Sequence, residues 1–85
     1  YWLGETYYAR QMYNEAARTF FEAYNAAPEG DKAADNFLKL GMSLARMDET
    51  QNACAVLAEL PQRFPDATEE LHNQAAAERA RLDCP

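Results

Sequence analysis

Leu3-Gly4-x-x-Tyr7, followed by Ala16, Phe20, Ala23 and Pro28, decides the reading of this chain, because a second stretch repeats it. That stretch is Phe37-x-x-Leu40-Gly41-x-x-Leu44, followed by Ala53, Leu57, Leu60 and Pro65. Gly to Ala is 12 residues in both, and Gly to Pro is 24 in both. A small residue followed at helical spacing by aromatic and aliphatic ones describes two helices in close contact. Helices approach closely only where one of them lacks a side chain.

Working outward, the spacing predicts five helices. The first covers residues 1 to 10 and turns near Gln11-Met12. The second spans Tyr13 to Ala27, with Ala16, Phe20, Ala23, Tyr24 and Ala27 on one face, and Pro28 and Gly30 stop it. The third spans Lys32 to Arg46, with Asp31 as its expected N-cap and Phe37, Leu40, Gly41 and Leu44 facing inward. The fourth spans Gln51 to Arg63, with Thr50 as its expected cap, and Pro65 ends that segment. Asp66-x-x-Glu69 has capping-box spacing and opens a fifth helix that runs to Leu82. Nothing alternates as a strand does.

The matched units resemble the tetratricopeptide repeat, whose period is about 34 residues. The resemblance implies an all-α chain of antiparallel hairpins stacked as a short right-handed solenoid. Residues 1–28 would be one repeat, truncated at its N-terminus, 32–65 a second, and 66–82 a capping helix, together a single domain over residues 1–85. The Gly4-to-Gly41 offset of 37 exceeds the usual period, and the excess is placed in Pro28-Glu29-Gly30-Asp31. Because the chain opens on Tyr1-Trp2 inside the motif, a preceding helical segment is expected. Its loss would bare Trp2, Leu3 and Tyr7 and favour self-association.

The totals narrow the partners. Fourteen acidic residues against eight basic ones give a formal charge of −6. That balance disfavours a nucleic-acid surface, which needs cations to displace counterions, and disfavours adsorption to anionic lipid. The apolar runs are too short to cross a bilayer.

A narrower resemblance is carried by Tyr1-Trp2-Leu3-Gly4-Glu5-x-Tyr7-Tyr8, Leu38-Lys39-Leu40-Gly41-x-Ser43-Leu44, Ala53-Cys54-Ala55-x-Leu57 and Arg63-Phe64-Pro65-Asp66. These look like the C-terminal repeat domain of the CpoB (YbgF) family of Tol–Pal-associated cell division coordinators. The resemblance implies a non-enzymatic periplasmic module that binds TolA and works beside peptidoglycan synthesis, with no cofactor. The family's trimerising coiled coil is not among these residues. Other readings are a generic tetratricopeptide adaptor or co-chaperone, a subunit of a secretion or outer-membrane assembly machine, and an enzyme fragment.

Family positions place the partner groove on Tyr1, Glu5, Tyr8 and Ala9 of the first repeat and Asp35, Leu38, Met42, Ala45 and Arg46 of the second. Aromatic, flexible apolar and charged groups together suit an extended or helical peptide. The alternative is that Tyr8 and Leu38 pack within the array. Tyr1 and Glu5 stand at two positions where a carboxylate clamp carries Lys, Arg or Asn, which speaks against such a clamp. Cys54 and Cys84 would be reduced in the cytosol, whereas in the periplasm they could bridge, with the fifth helix returning antiparallel to the fourth. Two cysteines and His72 lack zinc spacing. A Cys54–His72 nucleophile pair lacks a third group and an oxyanion hole. The pairs Glu69-Glu70 and Asp48-Glu49 read as solvated charges.

Overall fold

The computed structural model describes residues 2–85. They form α1 (Trp2–Ala9), α2 (Tyr13–Ala26), α3 (Ala33–Arg46), α4 (Thr50–Arg63) and α5 (Glu69–Arg81), with no strand among the described residues. Neighbouring helices pack against each other along the chain, and α3 also touches α5. The architecture is an all-α array of stacked helical hairpins of the tetratricopeptide type.

Both glycines of the repeated motif lie at helix crossings. A methyl group at Gly4 would come within 2.7 Å of the Phe20 ring, and one at Gly41 within 2.9 Å of Leu57 Cδ2. Phe20 and Leu57 are fully buried and stand the same distance along the chain from their glycines. Removing such a side chain from water contributes about 1.5–3 kcal/mol each. Glycine weakens each helix locally, and the packing it admits offsets that loss.

The turns repeat as closely as the contacts. Gln11 has φ 62° and Asp48 has φ 62°. The Met12 N–H donates to the Tyr7 carbonyl and the Glu49 N–H to the Leu44 carbonyl, both at 2.9 Å. Gln11 and Asp48 donate in turn to Tyr8 and Ala45. This is the Schellman arrangement, in which one left-handed residue lets two N–H groups satisfy the last carbonyls of a helix. α5 ends the same way. Asp83 has φ 58°, and the Cys84 N–H donates to the Arg79 carbonyl at 2.9 Å. In its termination, α5 therefore resembles the first helix of a hairpin.

The second helix of each hairpin stops for a different reason. Ala27 and Phe64 leave helical geometry at φ −146° and −127°. Each precedes a proline, Pro28 or Pro65, whose ring disfavours helical backbone in the residue before it. Six residues (27–32) join α2 to α3 and five (64–68) join α4 to α5, so the first connection is the longer one.

Two clusters form the core. Ala16, Ala17, Phe20 and Leu40 tie α2 to α3, with Tyr7, Tyr8, Leu44 and Met47 at the margin. Phe37, Leu38, Leu57, Leu60, Leu71 and Ala75 join α3, α4 and α5, with Tyr24 reaching in from α2. Arg63 donates to the Tyr24 hydroxyl at 2.7 Å, pairs with Glu59 and lies 5.2 Å from the centre of the Phe37 ring. The buried Ser43 hydroxyl donates to the Lys39 carbonyl at 2.8 Å, so it is not left unsatisfied.

Three expected caps differ from the structure. Asp31 does not cap α3, whose N-cap position is Lys32, without a side-chain bond. Thr50 is the first residue of α4, and Glu49 precedes it without capping the backbone, its carboxylate accepting instead from Asn52 Nδ2. The Asp66–Glu69 box is replaced by Thr68, whose hydroxyl accepts from the Leu71 N–H at 3.1 Å.

Candidate protein-binding face

The first helices of the hairpins, α1 and α3, share one flank of the array, and α5 packs against α3 and α4. Lys39 Nζ of α3 stands 3.1 Å from a Glu5 carboxylate oxygen of α1. Both side chains are partly solvated, so the pair contributes at most about 1 kcal/mol, and its value is in fixing register.

Tyr8 is the point on this flank where most elements converge. Its ring packs on the Ala16–Phe20 cluster and meets Tyr13 edge-on at 5.3 Å. The Arg46 guanidinium lies 5.5 Å from the centre of the Tyr13 ring, a cation–π distance. Burial raises the Tyr8 hydroxyl above its ordinary pKa of 10.0, Arg46 opposes the shift, and charges on Glu78, Tyr13 and Arg81 act more weakly. The phenol therefore feels groups from α2, α3 and α5 together. Glu78 and Arg81 form their own ion pair at 2.8 Å.

The expected groove residues separate on this map. Tyr1 lies outside the described residues. Glu5, Tyr8, Asp35, Met42 and Ala45 are partly exposed, while Ala9 and Arg46 are open to solvent. Leu38 does not reach the open face: it is fully buried in the cluster with Leu71 and Ala75 of α5. Met42 packs on the margin of that same cluster. Leu38 thus serves the core because α5 lies over the position that a groove would use. Tyr13, Lys39, Glu78 and Arg81 belong to the flank but were not expected there. The i,i+3 spacing of Glu78 and Arg81 was the available signal.

Cys54 and Cys84 form a disulfide, with α-carbons 5.6 Å apart. The bridge occupies the Cys54 sulfur, so a Cys54–His72 nucleophile pair does not exist in this form. No group of three or more His, Cys, Asp or Glu side chains among the described residues could hold a metal ion. Among the described residues, no helix is long and apolar enough to cross a membrane.

Stacked hairpins with a shared, chemically mixed flank define a class of protein-interaction module. Residues 35–67 match the tetratricopeptide repeat family, a span that runs from the first turn of α3 to the connection after α4. The match supports a tetratricopeptide domain, and such repeats are typically non-catalytic and bind proteins. No curated protein matches the chain.

Proposed function

We propose that this chain is a non-enzymatic periplasmic interaction module of a Tol–Pal-associated cell division coordinator, holding TolA or another envelope protein on the flank of α1 and α3. The observation that carries the binding role is the convergence of Tyr8, Tyr13 and Arg46 on adjacent hairpins, with partly exposed Met42 one turn before Arg46 on α3. Aromatic and arginine side chains commonly anchor interfaces, and methionine adapts to varied partners. The Cys54–Cys84 bridge supports an oxidising compartment, since such bonds are rare in the cytosol. The Tol–Pal assignment rests on the sequence resemblance described above.

Calorimetric titration with segments of TolA tests this reading. Tyr8→Ala and Met42→Ala should each weaken binding about tenfold, the loss expected of an interface anchor, with helical content retained. Undiminished affinity in both variants would remove the flank from the account. A generic tetratricopeptide adaptor remains the second reading, favoured by the repeat match itself, which names no partner.

Self-association belongs to the same proposal. Trp2 is 78% exposed, Leu3 49% and Phe21 51%. Tyr7, by contrast, packs against the Ala16–Phe20 cluster, so the exposed large apolar side chains among the described residues are Trp2, Leu3 and Phe21.

A further inference from the structure

Of the four long helices, α5 has the fewest anchors. Its buried side chains are Leu71 and Ala75, neither beyond its midpoint. Beyond Ala75 it offers partly buried Glu78 and Arg79, with Leu82 just past its end. A helix of this length is marginal in water without tertiary support. The second half is tied down by Leu82 on the margin of the core and covalently, through Cys84 to Cys54 in the second turn of α4. Neither cysteine is fully buried. An open cavity of about 570 Å³ adjoins the bridge, lined by Thr50, Gln51, Cys54, Ala55, Ala58 and Pro85 among others. A reductant of modest size can therefore approach the bridge from the Cys54 side.

We propose that the Cys54–Cys84 disulfide is a redox latch: oxidised, it holds the second half of α5 against the α3–α4 hairpin, and reduced, it lets that half detach. Glu78 and Arg81 then leave the neighbourhood of Tyr8, and the flank of α1 and α3 loses its third wall. The chemistry is thiol–disulfide exchange with a small dithiol that can close to its own disulfide. One thiolate of the dithiol attacks a bridge sulfur, forming a mixed disulfide and expelling the other cysteine as a thiolate. The second thiol of the reductant, once deprotonated, displaces the remaining cysteine. The two cysteine sulfurs gain two electrons and two protons, and the dithiol becomes its own disulfide.

The latch rests on the proposed binding face only for its consequence, since the detachment itself is measured with no partner present. Amide hydrogen exchange is followed on the whole chain, oxidised and under excess dithiothreitol, with thiol content checked by mass. Residues 76–82 should exchange about tenfold or more faster once reduced, while amides in the middle of α2 and α3 stay within about twofold of the oxidised rates. The double variant Cys54→Ser with Cys84→Ser should match the reduced chain without any reductant. Equal protection in both states would overturn the latch and leave a static brace. So would a loss spread evenly over α2 to α5, or a bridge that stays oxidised under the dithiol.

Discussion

Gly41→Ala sets two effects of opposite sign against each other. In an exposed helix the change would stabilise by about 1 kcal/mol, through backbone entropy and helix propensity. Here the new methyl would lie 2.9 Å from Leu57 Cδ2, 3.1 Å from Leu57 Cγ and 3.3 Å from Val56 Cγ1. Leu57 is fully buried, so it cannot swing into solvent, and α3 and α4 must separate or distort. Overpacking of this kind costs about 1–3 kcal/mol. The overpacking term wins, and the net loss is about 1 kcal/mol, read as a Tm lower by about 4–8 °C in a domain of this size. Leu57→Ala alone should cost about 2–5 kcal/mol. In the double variant the Leu57 contacts are gone and only the 3.3 Å approach of Val56 Cγ1 remains, which a small shift into the vacated space relieves, so Gly41→Ala should become stabilising. Thermal and urea unfolding of the four proteins gives a coupling free energy of about 1–3 kcal/mol. If Gly41→Ala raises the Tm on its own and the cycle shows no coupling, the close crossing of α3 and α4 is wrong.

Two further predictions test other joints. Gln11→Gly should raise the Tm, because a left-handed backbone costs a residue with a β-carbon about 1 kcal/mol and glycine almost nothing; an unchanged or lower Tm would count against the Schellman turn. Burial raises the Tyr8 pKa, so its neutral form is favoured by folding, and that contribution is complete below pH 10.0 and lost as pH rises through the folded value. Stability measured from pH 9 to 12 should therefore fall less steeply in Tyr8→Phe than in the parent. Equal slopes would show that the phenol is solvated.

What could be read from the chain was what depends on missing or bulky side chains. Gly4 and Gly41, with Phe20 and Leu57 at equal spacing, mark the crossings in the sequence itself. The stops of α2 and α4 were equally legible, since proline restricts its predecessor wherever it stands. The turns were less so. Gln11, Asp48 and Asp83 take left-handed backbone without being glycine, and their common role shows only in the hydrogen bonds around them. Caps failed for a related reason: Asp31 and Asp66 had the right chemistry, but the helices begin at Ala33 and Glu69, beyond the reach of their side chains as N-caps. In the candidate site, family position put Leu38 on an open groove, and α5 buried it. Position within one repeat does not say what the next helix covers. Glu78 and Arg81 were hidden because their relevance comes from a helix that returns past Tyr8 rather than from any local motif.

The account depends most on the equivalence of the two hairpins, and nuclear Overhauser contacts in solution measure that equivalence directly. The Gly4 α-protons should show strong cross-peaks to the Phe20 ring, and the Gly41 α-protons to the Leu57 methyl groups, in the same sample. Cross-peaks at one glycine and silence at the other would contradict the matched pairs, and with them the shared flank on which binding is proposed.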